Sequence, residues 1–582
     1  MKNFLTSLAA VLIGGIILLL APIFIMIVIA ASSVGDTPES AEPNSVMILD
    51  LSQEMADREI DGTSYRVRKM LGGEELATGL NVVIDNLYAA ADDDNIIALM
   101  ICGSESGADH AQLTELRQAV IDFKEQSGKP VIYYDTNTTG EALYIGSVAD
   151  SVYLAPQGMA MVKGVTMTKN YYTKAAEKLG VGFDVIKHGK YKSAVEPFFR
   201  GGMSESDREQ SQRIVDVLWS EQRDSIATRR GIAPASIDSY VDNLEYTLAS
   251  NAEKVGLIDR LAYRDEVEES IKAMTGKDSG TELKFKRIEE YEGNEGIDVA
   301  TSSKQVAVVY ASGEIYDGSS KTDKMNIYGD DLTATLRKLR SDKEVKAVVL
   351  RVNSPGGSAL ASDLIWREVM LLKKTKPVIV SMSGYAASGG YYISCAANRI
   401  VAEPTTMTGS IGVFGLIPNI EKLRENIGVG FSMVSSNKNQ PALGSLSLTA
   451  EQIDAITRSV ESTYTTFISR VAEGRGMSME EVDSLGQGRV WMGVDAKDKG
   501  LVDELGGLDD AIDMAAESAQ IGDDYVVTEY PEMEGSALDI ITSSLDVRAT
   551  IGRATLGSDY DMIERLRKRV SDPKVEIMTL MR

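Results

Sequence analysis

Lys376-Pro377-Val378-Ile379-Val380 is followed by Gly384-Tyr385-Ala386-Ala387-Ser388-Gly389-Gly390-Tyr391-Tyr392, and the same order occurs upstream. There it reads Lys129-Pro130-Val131-Ile132-Tyr133, then Thr139-Gly140-Glu141-Ala142-Leu143-Tyr144. Each Val-Ile run predicts a short buried strand, and the small residues that follow it predict a turn into a helix. The copies differ at single positions. Opposite Ser388 stands Gly140 or Glu141, depending on a one-residue gap. Further on the difference reverses: Gly189-Lys190-Tyr191-Lys192-Ser193 in the first copy faces Asn437-Lys438-Asn439-Gln440-Pro441 in the second. A serine kept in one copy and a lysine kept in the other suggest one shared Ser/Lys site.

Outward from these stretches the copies run in parallel. Ser45–Asp50 and Gln305–Tyr310 open them, and Ile96–Ile101 matches Val345–Leu350. Helix-like stretches follow at Gln112–Phe123 and Ala359–Leu372, and long polar helices at Ser206–Arg229 and Thr449–Arg475. Val255-Gly256-Leu257-Ile258-Asp259 matches Lys499-Gly500-Leu501-Val502-Asp503. Self-similarity at this long spacing means tandem domains, and alternating strands and helices mean α/β layers with largely parallel strands. The expected division is an anchor at 1–35, a linker at 36–44 and a first repeat at 45–276. A second linker at 277–303, a second repeat at 304–520 and a tail at 521–582 complete it.

From Asn3 to Gly35 no residue is charged, and Leu5–Ala31 is almost wholly apolar. About 20 apolar residues cross a bilayer, so one N-terminal transmembrane helix is expected, with Pro22 tolerated inside it. A cleaved signal peptide is the alternative: its apolar region is normally about 7–15 residues, shorter than this run, but Ala30-Ala31-Ser32 passes for a cleavage site. Lys2 favours a cytoplasmic N-terminus, which puts the rest of the chain outside the cytoplasm. The net charge of −26 argues against a nucleic-acid partner, which needs a basic footprint. Arg565–Val570 is a basic patch read as a solvated helix face, with anionic lipid contact as the alternative. Cys102 and Cys395 sit in different repeats and are read as buried thiols. The two histidines, His110 and His188, leave little material for a Ser-His-Asp triad or a histidine metal centre.

Ser388 stands after a strand and opens a helix, with Ala387, Gly389 and Gly390 around it. Such a place exposes a hydroxyl and aims free backbone N–H groups at whatever it attacks. Alone the pattern is weak, because most Ser-Gly pairs are turns or caps. Asn353-Ser354-Pro355-Gly356-Gly357-Ser358 adds a second glycine turn at a strand end. The N–H groups of Gly357 and Gly389 are thus candidates for an oxyanion hole, with a plain turn as the alternative. The second repeat holds no histidine, so the base is a lysine or a carboxylate. Lys192 is the lysine that the second copy lacks. A free lysine has a pKa of about 10.4, and bringing it near 7 takes about 4 kcal/mol, the size of effect that burial supplies. Val195, Phe198 and Phe199 give apolar bulk nearby, whereas Glu196 would oppose the shift if it were close. Asp92-Asp93-Asp94 lacks the EF-hand spacing, and Gly409–Gly415 lacks the dinucleotide fingerprint. No metal or cofactor is called for.

At Tyr191–Phe198, Asn353–Ser358, Tyr385–Tyr391 and Met407–Gly412 the chain resembles the signal peptide peptidase A (protease IV) family in its long duplicated form. The resemblance implies a ClpP/crotonase-like α/β fold, Ser388 as nucleophile and Lys192 as general base. It also implies that Ser410 positions the lysine amine. By the same resemblance the protein is a homotetramer anchored in the bacterial inner membrane through lipid contact of its N-terminal helix. Its catalytic part is then periplasmic, and its substrates are signal peptide remnants and unstructured apolar peptides. Two other functions fit a duplicated fold of this kind: a crotonase-like enzyme acting on acyl thioesters, and a non-catalytic membrane scaffold.

Overall fold

The structure, a computed structural model, describes residues 41–58, 77–291, 302–320, 323 and 325–532. The apolar Leu5–Ala31 run, most of the 36–44 linker, residues 292–301 and the basic Arg565–Val570 patch lie outside the described residues. Among the described residues no helix is long and apolar enough to cross a membrane.

Two sheets carry the same strand order. The first runs 260–261, 151–154, 131–135, 96–102, 45–50, 284–287, and all its pairings are parallel. The second runs 504–505, 399–402, 378–387, 345–354, 305–312, 526–530, again parallel. Met407–Gly409 pairs with the far end of the Val378–Ala387 strand, and Val490–Met492 closes that edge in the antiparallel sense. Parallel strands covered on both faces read as continuous apolar runs, which is the composition found here. Val306, Val308 and Tyr310 face the Leu508–Ala519 helix through Ala511, Ala515 and Ala516. Ala307, Val309 and Ala311 face the opposite layer, with Ile365, Val369 and Tyr391.

The helices fit the same duplication. Glu205–Arg230 is capped by the Ser204 hydroxyl and ends at a left-handed Gly231; Ala450–Arg475 is capped by Thr449 and ends at a left-handed Gly476. Arg230 pairs with Asp259 at 2.6 Å and Arg475 with Asp503 at 2.7 Å. Each aspartate also accepts a strand N–H of its own repeat, from Val152 and Ile400, at 2.7 Å.

Two boundaries move. Lys284–Arg287, read as part of the 277–303 linker, is an edge strand parallel to the first strand of repeat one. Val526–Tyr530, read as tail without a counterpart, takes the equivalent edge of repeat two. An edge strand is covered less than a central one, so Lys-Phe-Lys-Arg qualifies despite its charge, and Phe285 stays 40% exposed.

Repeat one also lends a segment to repeat two. Gly182–Lys187 leaves repeat one and pairs antiparallel with Phe414–Asn419 of repeat two, Lys187 opposite Phe414 and Gly182 opposite Asn419. Ile186 is thereby buried with Ile417, Leu448 and Val460. The five residues that follow this strand end at Lys192.

Candidate active site

Ser388 follows the Val378–Ala387 strand and precedes the Gly389–Ser394 helix with φ 54° and ψ −114°. A positive φ is costly for any residue with a Cβ, and such strain collects at functional sites. Its N–H donates to the Gly409 carbonyl at 2.9 Å, which fixes the turn. The Gly356-Gly357 turn packs directly on this corner. Gly356 has φ 104°, and a side chain there would stand 2.6 Å from the Gly389 nitrogen and 2.9 Å from Ser388 Cβ. Gly357 nitrogen lies 3.1 Å from where a Gly389 side chain would begin, so the two candidate oxyanion donors are neighbours. Among the described residues neither N–H donates to a backbone carbonyl.

Lys192 arrives from the other repeat. Its Nζ lies 3.1 Å from Ser388 Oγ, 3.0 Å from Ser410 Oγ and 3.3 Å from the Ser410 carbonyl. Only 5% of the residue is exposed. Burial alone lowers its pKa from the usual 10.5 to about 8. At that value roughly a tenth of the amine is neutral at pH 7, against well under ~0.1% for a free lysine. The Phe414 ring centre is 5.8 Å from Nζ. Glu196, the residue able to oppose the shift, is turned away: it accepts the Ser204 N–H at 3.0 Å and lies 3.9 Å from Arg200.

Ser410, at φ 49°, is a second serine in the left-handed region, held by its N–H on the Arg489 carbonyl at 2.7 Å. The Gln487-Gly488-Arg489 turn is a part of the site that sequence reading missed. Tyr191 N–H donates to the Gln487 carbonyl at 2.9 Å, and Arg489 donates to the Tyr191 hydroxyl at 3.0 Å. A side chain on Gly488 would begin 2.6 Å from Lys192 Cβ, so only glycine lets the lysine stem pass. The visible signal was the Gly486-Gln487-Gly488-Arg489 turn beside the Val490 strand. His188, without a role in the sequence, stacks on Tyr464 with ring centres 3.7 Å apart and hydrogen-bonds Glu461 at 2.7 Å. It anchors the crossing segment four residues before Lys192.

The matching places in the other copies carry no such chemistry. The helix of repeat one aligns Tyr144-Ile145 with Tyr392-Ile393, which sets Gly140 at the place of Ser388. A side chain on Gly140 would meet Gln222 Nε2 at 2.5 Å, so that space is already filled. Gln440, opposite Lys192, lies in an exposed stretch. Cys102 and Cys395 are free thiols, both raised to about 12 by burial, and take no part.

A hydroxyl on a strained strand-to-helix corner, with free N–H groups beside it, belongs to serine hydrolases. A Clp protease model matches residues 301–408, which makes the architecture ClpP-like, and the class is that of ClpP-like serine peptidases. The model of peptidase family S49 matches twice, at 123–277 and 370–522, and the chain belongs to that family. It is 35% identical over 526 residues to Protease 4 of Salmonella typhi, covering 87% of this chain and 84% of that one. It is 33% identical to Protease 4 of Haemophilus influenzae, covering 89% and 85%. Against the chloroplastic serine protease SPPA of Arabidopsis thaliana the identity is 32%, covering 82% and 70%.

Proposed function

We propose that this peptidase cleaves with a Ser388/Lys192 dyad, and the observation that carries this is the buried Lys192 amine 3.1 Å from Ser388 Oγ. Neutral Lys192 takes the Oγ proton as the oxygen attacks a peptide carbonyl carbon. The N–H groups of Gly357 and Gly389 hold the resulting oxyanion. The lysine ammonium then gives its proton to the departing amine, leaving an acyl-serine. Water attacks that ester, Lys192 accepts its proton, and the proton returns to Ser388 as the acid leaves. Ser410 holds the amine in line through its hydroxyl, 3.0 Å away.

The substrates we assign are unstructured apolar peptides, with signal peptide remnants as the physiological class. Tyr385, Leu360 and Leu364 support this: they are 41%, 62% and 45% exposed on the two elements flanking the catalytic corner. The apolar Leu5–Ala31 run serves as a single-pass membrane anchor, with the catalytic part on the periplasmic side of a bacterial inner membrane. Peptide hydrolysis by the intact protein, compared with Ser388→Ala and Lys192→Ala, tests the dyad. Wild-type cleavage by either variant would sink it.

The protein also self-associates in this proposal, as a homotetramer, through a surface that the duplication exposes. Leu179-Gly180-Val181-Gly182-Phe183 recurs as Ile427-Gly428-Val429-Gly430-Phe431, each following a helix ended by a left-handed glycine. The first copy goes on to pair with Phe414–Asn419. The second stands in solvent, with Phe431 43%, Met433 47% and Val434 100% exposed. The segment equivalent to Phe414–Asn419 in repeat one is 166–171, which among the described residues belongs to no strand pair. We assign a second copy of the chain to this place by analogy with the pairing inside one chain, Met433 then standing opposite Thr168 as Val185 stands opposite Leu416. Met433→Cys with Thr168→Cys should give a disulfide between copies under mild oxidation; a double variant that stays monomeric would exclude this pairing.

A further inference from the structure

We infer that Asp57, a residue of the first repeat, is a positioning residue for Ser388; this rests on the Ser388/Lys192 assignment. The strand carrying Ser388 is irregular just before it. Val352 pairs with Met382, but Ser354 pairs with Ala386, so Ser383, Gly384 and Tyr385 bulge against Asn353. Bulges beside active sites re-aim a side chain and need something to hold them.

Here the holder comes from the other repeat. Asp57 is 5% exposed. Its Oδ1 accepts the Ser383 hydroxyl at 2.5 Å and Arg351 Nη2 at 2.8 Å. Its Oδ2 accepts Asn353 Nδ2 at 2.6 Å. Asn353 Oδ1 in turn accepts the Tyr385 N–H at 3.1 Å, three residues before Ser388. Asp109, also from repeat one, fills the place where a side chain on Gly384 would stand. Thus one carboxylate ties both sides of the bulge: Ser383 directly, and Tyr385 through Asn353. Asn353 is also four residues before the Gly357 donor, so the same contact fixes the nucleophile and the oxyanion turn relative to each other.

The anchor for Asp57 is Arg351, 1% exposed, which also pairs with Glu115 of repeat one at 2.7 Å and donates to Ser381 at 2.8 Å. Glu115 therefore shares the ion cluster but does not touch the bulge, which makes it the control. On the other side Arg58 pairs with Glu529 at 2.9 Å, so the 55–58 segment is fastened to repeat two independently of Asp57.

The test is steady-state peptide cleavage and Ser388 acylation by a fluorophosphonate in full-length Asp57→Asn. The expected result is a fall of about 100-fold in kcat and in acylation rate, the size of a small misplacement of reacting groups. The pH midpoint of the rate should stay unchanged, because Lys192 is untouched. The substituted amide would set a donor against the donor of Asn353. The paired change Asp57→Asn with Asn353→Asp restores donor to acceptor, keeps an acceptor for the Tyr385 N–H, and should recover at least tenfold. Glu115→Gln should lower thermal stability without that selective fall in kcat. A folded Asp57→Asn protein with wild-type kcat overturns the inference, as does an equal kcat loss in Glu115→Gln. If Asp57→Asn does not fold, the paired variant decides: folded and active supports the inference, folded and inactive overturns it. Loss of the dyad itself reads differently, because Ser388→Ala abolishes acylation whatever stands at 57.

Discussion

Gly140 and Ser388 occupy the same corner in two copies of one fold, and their surroundings have diverged further than the two residues themselves. At Ser388 the corner is occupied by Lys192, whose Nζ lies 3.1 Å from Oγ and which follows a strand paired with the opposite repeat. Around Gly140 the space is filled by Gln222, and the segment that would deliver a base, 430–440, lies exposed. The lesson is that within one chain the duplication made two corners but one crossing, and the proposed Ser/Lys site needs both. A serine returned to Gly140 would first have to displace the Gln222 amide, 2.5 Å from where its side chain begins, and would find no lysine delivered to it.

The largest expected effects break the asymmetry outright. Ser388→Ala and Lys192→Ala should each lower kcat by about 10⁴-fold or more, as removal of either member of a unit does. Gly140→Ser in a Ser388→Ala background should stay inactive and unlabelled by a fluorophosphonate. Coexpressing Ser388→Ala with Lys192→Ala asks whether the crossing lies within one chain. No recovery is expected; recovered cleavage would mean that the lysine reaches a neighbouring copy.

The next effect concerns stability. Lys192 has a folded pKa of about 8 against the usual 10.5, so between those values the unfolded chain binds more protons than the folded one. Stability should therefore rise with pH from about 8 to 10.5. Below pH 8 the buried ammonium costs the fold about 3 kcal/mol, which Lys192→Met should return. Urea melts at pH 7 and pH 10.5 measure this: the variant should exceed the wild type at pH 7 and lose most of that lead at pH 10.5. A constant difference would mean that burial of the amine is not the cause.

The smallest effect is at Ser410. Ser410→Ala removes one hydrogen bond to the amine and leaves the Ser410 carbonyl in place at 3.3 Å, so kcat should drop on the order of tenfold. Melting temperature should hardly change.

Much of the fold was legible, because buried parallel strands and capped amphipathic helices leave long, regular signals. The strand at Ser45–Asp50 and the helix at Ala359–Lys373 are where periodicity puts them. The edge strands at Lys284–Arg287 and Val526–Tyr530 were not, since limited cover leaves no alternation to read. Ser388 was visible through its small flanking residues. Lys192 was visible as a mismatch between copies and through the family resemblance at Tyr191–Phe198, because periodicity and spacing do not mark a lysine for burial. Asp57 was not visible at all: its partner Arg351 is 294 residues away. The hint was Arg351 itself, a cation inside the apolar Val348–Val352 run, which had to be matched by a carboxylate from elsewhere.

The most direct measurement is the rate of Ser388 acylation by a fluorophosphonate as a function of pH, in the wild type and in Lys192→Ala. In the wild type it should rise through a midpoint near 8, the pKa that burial gives Lys192. In the variant the rate should fall by about 10⁴-fold and the midpoint near 8 should vanish. A Lys192→Ala protein that labels at Ser388 at the wild-type rate, with the same pH midpoint, would contradict a shared site built from one residue of each repeat.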